Sequence, residues 1–179
     1  MKIIKRILFA ILGIIVLALI AALIMPKEYA VEREIIINQQ KDSVFNYIKH
    51  LKNQDNFSVW SKTDPNMKKT FSGVDGTVGA IAAWESDDKN VGFGEQEIKK
   101  ITPGERIDFE LRFKKPFEST DYAYFSTESI SATETKVKWG FNGKMPYPMN
   151  IMLPIMNMDE MLGKDLEKGL NNLKVILEK

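Results

Sequence analysis

Residues 7–25 read ILFAILGIIVLALIAALIM, without one charged or hydrogen-bonding side chain. A helix satisfies its own backbone groups, and ~19 residues at 1.5 Å of rise reach ~28 Å, about the hydrocarbon thickness of a bilayer. Lys2, Lys5 and Arg6 precede the run and Pro26 closes it. We therefore expect a membrane anchor over residues 1–26 and a single domain over residues 27–179. A cleaved secretory signal is the competing reading. Signal cores run about 7–15 residues and end at a small-x-small site. This run is longer, and Ala18, Ala21 and Ala22 have no small residue two positions on. A buried core helix fits less well, because such helices rarely lack every polar residue over this length. The basic flank predicts a cytoplasmic N-terminus at the cell membrane, with the domain on the outer, periplasmic or extracellular side.

Beyond the anchor the charge is balanced. Three of the 25 Lys and Arg residues precede Pro26, so the remainder carries two more acids than bases. Nucleic-acid binding would need a clustered basic excess, which this chain lacks. No cysteine is present, which excludes a lipid-modified cysteine anchor and any disulfide. About four residues separate Pro26 from the first strand-like segment. They reach at most ~14 Å when fully extended, so the domain is expected close to the lipid surface.

Val31 to Ile37 alternates and then turns fully apolar, as a strand entering a sheet does. Asp42 or Ser43 is expected to cap a helix carrying Val44, Phe45, Ile48 and Leu51 on one face. Residues 52–66 read as polar and irregular around Phe57 and Trp60. Strands are expected at Met67–Ser72, Val78–Trp84, Val91–Ile101, Arg106–Phe113, Thr120–Ile130 and Lys136–Phe141, with turns at Gly73–Gly76 and Ser86–Asn90. Arg106–Phe113 alternates most cleanly. Ile107, Phe109, Leu111 and Phe113 face one way, and Asp108, Glu110 and Arg112 the other, the pattern of a sheet wet on one side. A closing helix is expected from about Ile155 to Leu177, with Met158, Met161, Leu162, Leu166, Leu170, Leu173, Ile176 and Leu177 in one stripe. The order predicts an α+β fold: a curved antiparallel sheet of about six or seven strands around a long C-terminal helix.

Several segments resemble the START-like, or polyketide-cyclase-like (SRPBCC), superfamily, and more closely its membrane-anchored bacterial members. They are VEREIIIN at Val31–Asn38, VFNYI at Val44–Ile48, Trp60, FSGVDGTVGA at Phe71–Ala80, WESDDKNVGFGEQEI at Trp84–Ile98, KVKWGFNGKMPYP at Lys136–Pro148 and GKDLEKGLNNLKVILE at Gly163–Glu178. The resemblance covers essentially everything after Pro26. It implies the helix-grip fold, with an apolar ligand between the long helix and the sheet. It says little of function, since such folds host lipid carriers, receptors, cyclases and chaperone activators.

Catalytic chemistry finds few residues. The one histidine, His50, lies in a charged helix end and reads as a surface residue. Without cysteine and with one histidine, neither a zinc site nor a Cys–His pair can be assembled, so no metal or cofactor is expected. Gly92 and Gly94 lack the third glycine of a dinucleotide loop, and they read instead as relief for a bent strand or room inside the sheet. Glu95 and Glu97 read as a solvated outer pair. Were the strand turned the other way, Glu95 would be the best general acid or base, with Tyr124 as a second weak catalytic candidate.

The aromatic residues carry more weight. Trp60, Trp84, Phe93, Phe109, Phe113, Tyr124, Trp139 and Phe141, with Met158, Leu162 and Leu166 from the closing helix, are the expected pocket wall. Gly163 and Gly169 are expected to leave space beside them. Six of nine methionines fall within Met145–Met161 among three prolines. Methionine suits a surface that accepts varied apolar partners, so Met145, Tyr147, Met149 and Met152 are the expected membrane portal. The leading expectation is a membrane-tethered protein that binds a hydrophobic small molecule or lipid and sequesters it or hands it over at the membrane surface. A cyclase- or hydrolase-like enzyme and an envelope protein–protein interaction module are the alternatives. Ligand identity and oligomeric state are left open by the sequence.

Overall fold

The computed structural model describes residues 2–88 and 91–179. Helix α1 spans Lys2–Ile24, strand β1 Glu28–Ile37, helix α2 Lys41–Ile48 and helix α3 Leu51–Phe57. Strands β2 (Lys68–Ser72), β3 (Ile81–Glu85), β4 (Phe93–Thr102), β5 (Arg106–Lys115), β6 (Ser119–Ser129) and β7 (Thr135–Lys144) follow, and helix α4 (Met158–Leu177) closes the chain. All seven strands form one antiparallel sheet in the order β1-β7-β6-β5-β4-β3-β2. This is the helix-grip fold. The α1 helix is long and apolar enough to cross a membrane.

Register settles which residues face inward. Phe109 stands opposite Ala123 and Ile98, and Phe125 opposite Trp139. These inward residues build the core with Phe57 of α3: Phe125 and Trp139 ring centroids lie 4.8 Å apart, and Phe57 meets Trp139 edge-on at 5.7 Å. Ala123 and Gln96 therefore face inward, and Tyr122 and Glu95 outward. The room that Gly94 leaves inside the sheet is taken up by Trp84. A Cβ there would lie 2.6 Å from the Trp84 ring, so only glycine lets that ring lie across β4.

The structure moves several expected features. Neither Asp42 nor Ser43 caps α2; Gln40 holds the cap position without a side-chain bond, and Asp42 lies in the first turn, where its charge favours the positive end of the helix dipole. Residues 51–57, expected to be irregular beyond Leu51, form α3. Its N-terminus is capped from afar, since the Leu51 amide donates to Asp75 Oδ1 at 2.7 Å. The α4 helix starts at Met158 rather than Ile155, because the Glu160 amide donates to the Asn157 side chain at 3.1 Å and Asn157 caps the helix. Met161 is exposed and lies off the buried stripe. His50 is only part-exposed and packs against Asp75. The last two residues of the expected Ser86–Asn90 turn lie outside the described residues.

Two glycines expected to leave space are instead filled. A Cβ on Gly163 would lie 2.1 Å from the Arg33 guanidinium, and one on Gly169 would lie 2.5 Å from the Trp139 ring. Arg33 reaches over Gly163 to grip Asp159 with two parallel bonds of 2.8 and 2.9 Å. These glycines let α4 sit tightly on β1 and β7.

Candidate functional site

The α4 helix covers the β1 and β7 side of the concave face, while α3 and the 3-10 turn Trp60–Lys62 roof the side formed by β2 to β5. Beneath that roof the sheet presents Ala82 of β3 and Ala123 of β6 among larger side chains. The two covers do not meet over the whole sheet. A cavity of about 270 Å³ remains between them.

Its wall is mostly apolar: Trp60, Trp84, Phe113, Trp139, Phe141, Leu111, Phe71 and Leu162. Trp139 serves both core and cavity, packing on Phe125 behind and meeting Trp60 edge-on at 5.7 Å. Trp84 stands edge-on to Phe113 at 5.7 Å, and its indole N–H donates to the Val91 carbonyl at 3.3 Å. One corner is polar. Lys69 Nζ donates to Asp55 Oδ1 at 2.8 Å and to the Ser61 carbonyl at 3.1 Å, with Gln54 alongside.

Of the residues expected on a pocket wall, Trp60, Trp84, Phe113, Trp139, Phe141 and Leu162 are brought together on the cavity. Five others lie elsewhere. Phe109 and Leu166 are sealed in the core, and Met158 packs against that core from the start of α4. Phe93 lies under the Lys114 ammonium at 5.1 Å. Tyr124 points outward over Gly140, where it bonds Glu32 and lies beneath the Arg106 guanidinium at 3.7 Å. Its phenol is raised, by burial first and then by Glu32.

Glu95 is also on the outer face. Hydrogen bonds from Arg112 and then Lys114, at 2.7 and 3.0 Å, hold its carboxyl below the usual carboxylate range. A general acid needs the opposite shift. Arg112 also grips Glu97 and Glu110, so this part of the outer sheet is a closed charge network. Among the described residues no group of three metal-ligating side chains gathers.

Sequence reasoning missed Gln54, Lys69 and Phe71. Lys69 and Phe71 alternate along β2 with Trp84 and Ala82 as partners. Gln54 lies three residues from both Leu51 and Phe57, a helical spacing that was legible in a segment read as irregular.

Met145, Tyr147, Met149 and Met152 gather at the end of α1, and none of them is on the cavity wall. Here a 3-10 turn, Met149–Met152, docks on the last turn of α1. Asn150 within it is fully buried, and its Nδ2 donates to the Ala22 carbonyl at 2.7 Å and to the Met25 carbonyl at 3.2 Å. Those are carbonyls that a helix C-terminus otherwise leaves unpaired. The strand begins at Glu28, so the connection is shorter than the expected four residues.

No protein-family model and no curated protein sequence matches this chain. Solved structures do. Major latex-like protein 151 of Panax ginseng aligns over 86% of this chain and 100% of its own, at 11% identity and a TM-score of 0.62. Protein Mll3558 of Rhizobium loti aligns over 83% and 96%, at 15% identity and a TM-score of 0.60. DynU16, a protein of the dynemicin biosynthetic locus, aligns over 84% of this chain and 47% of its own, at 14% identity and 0.54. At such identities the likeness is one of fold: the chain shares the helix-grip architecture of these structures.

Proposed function

We propose that this chain holds a small hydrophobic molecule in the cavity between α3, α4 and the sheet, and exchanges it with a membrane to which α1 tethers it. The observation that carries this reading is a shared end of the sheet. Glu28 stands opposite Lys144, Phe113 opposite Ser119, and Glu85 opposite both Phe93 and Lys68. These strand ends lie together, at the end where α1 enters. Phe141, Phe113, Trp84 and Lys69 all lie within three residues of them, so the cavity belongs to the tethered end.

Exposed apolar side chains cluster there too. Tyr147, Met149 and Met152 flank α1, and Phe117, 81% exposed, tips the β5–β6 turn beside Lys114 and Lys115. Apolar tips flanked by cations suit an interface with headgroups. Retention of α1 as an anchor is supported by Asn150. Cleavage after the apolar run would remove the acceptors of a buried amide, and a buried donor without a partner is costly. The basic residues before the run favour an outward-facing domain. Burial of apolar surface at ~25 cal/mol per Å² suffices for binding without a catalytic group.

The test uses a reporter already present, because all three tryptophans line the cavity. A medium-chain fatty alcohol brominated at its tail is titrated onto the full chain in phosphatidylcholine vesicles. Saturable quenching of tryptophan emission is expected, and Ala82→Phe, which fills the cavity from β3, should abolish it. Quenching that rises without saturation, and equally in both proteins, overturns the reading.

A further inference from the structure

The buried face of α3 carries one residue that its neighbours leave unexplained. Leu51, Gln54 and Phe57 form that face at i, i+3, i+6 spacing. Gln54 is only 9% exposed, and its Nε2 has no hydrogen-bond partner. Native folds keep few buried donors unpaired, because each forfeits its bonds to water without replacement.

The side chain of this amide lines the cavity, next to the ion pair of Lys69 and Asp55. That pair leaves the corner electrically neutral. It also leaves Lys69 a third ammonium hydrogen, since two are committed to Asp55 and the Ser61 carbonyl. The unspent donors in the corner are thus the Gln54 Nε2 and one Lys69 hydrogen, and the rest of the wall is predominantly apolar. A ligand completing this site has to bring an acceptor. A carboxylate head would meet Asp55 across the same corner, so a neutral oxygen fits better.

The volume bounds the rest. A cavity of about 270 Å³ has room for roughly nine water-sized groups. That is a single short chain or a small ring system held within the walls.

We infer that the cavity takes an uncharged amphiphile of about ten non-hydrogen atoms whose carbonyl-type oxygen accepts a hydrogen bond from the Gln54 amide. This rests on the ligand-binding reading above. Rotation about the broad terminal torsion of glutamine turns the amide nitrogen from its enclosed position towards the ligand. Sites with a buried donor discriminate against analogues that lack the acceptor.

The experiment compares methyl octyl ketone with the alkene of the same shape, in which a methylidene group replaces the carbonyl oxygen. Both are titrated onto the full chain in phosphatidylcholine vesicles and read by tryptophan emission. The measured quantity is the ratio of the two dissociation constants, compared between the native chain and Gln54→Met. Partition into lipid cancels in that comparison. The preference for the ketone is expected to fall about tenfold in Gln54→Met, equivalent to about 1.4 kcal/mol. Gln54→Leu should behave the same, and neither variant should melt below the native chain, since each replaces an orphaned amide with a side chain of similar volume. An unchanged ratio overturns the inference and leaves the ligand-binding reading standing. Failure of both probes to bind saturably brings down that reading, and this inference with it.

Discussion

The two halves of the concave face are built from the same sheet and end differently. On the β1 and β7 half, large side chains meet glycines: Trp139 occupies the space above Gly169, and Arg33 that above Gly163. The helix can then approach closely and the half is solid. On the β2 to β5 half, Ala82, with Ala123 of the adjoining β6, faces a roof hung from Trp60 and α3, and a cavity remains. Glycine on the helix closed one half, while alanine on the strands opened the other. A small residue makes a void only where no larger side chain opposite it can fill the gap.

The comparison predicts unequal costs for the same chemical change. Phe125→Ala, on β6 where its ring packs on Trp139 of the solid half, should cost about 3–5 kcal/mol in urea unfolding, since the packed surroundings cannot collapse. Phe113→Ala, on the cavity wall, should cost clearly less and widen the cavity. Equal losses would erase the distinction between the halves. Gly169→Ala comes next. Its Cβ would strike the Trp139 ring, and we expect a loss of roughly 1–3 kcal/mol, with a shift in tryptophan emission as that ring moves.

Asn150→Leu asks whether α1 belongs to the same packed body. It removes a bond of 2.7 Å to a helix-end carbonyl, and we expect about 1–2 kcal/mol of lost stability. Faster hydrogen exchange over residues 22–28 should accompany it. Unaltered exchange there would detach the helix from the rest of the fold.

Asp121 gives a pH test at the end of the sheet where α1 enters. It faces inward and is buried, accepting from the Lys144 amide and the Ser119 hydroxyl, and burial raises its carboxyl above the usual value. The folded state thus holds this proton more tightly than the unfolded chain. Stability is lost as pH rises from the ordinary carboxylate value through the raised one. Asp121→Asn should remove that decline, so the melting temperatures of the two proteins diverge as pH rises; parallel curves would show that burial there is ineffective. The same burial, with Asp121 next in effect, pushes the Tyr29 phenol up to about 12. The smallest effect is expected from Glu95→Gln on the outer face. Exposed ion pairs contribute up to ~1 kcal/mol, and ligand binding should not change.

Much of the fold was legible because its signals are local. The unbroken apolar run of α1, the alternation of β5 and the stripe of α4 each arise from the repeat of a single element, and a repeat is written in consecutive residues. The inward facing of Phe113 and Trp139 follows from the same rule. Phe109 and Phe113 share an alternation pattern, yet one is sealed in the core and the other lines the cavity. Their difference is set by what lies across from them, Phe125 for one and Trp84 for the other. No spacing within β5 contains that information.

The sequence by itself determined a membrane-length helix, an α+β order and the faces on which strands and helices bury their apolar residues. Only the tertiary structure decided that Glu95 and Tyr124 face outward, that Gly163 and Gly169 are filled, and that Gln54 is buried without a partner beside a cavity. A cavity is the volume left where elements distant in the chain fail to meet. Periodicity within one element sets which side chains point towards that volume, and packing between elements sets whether it is filled.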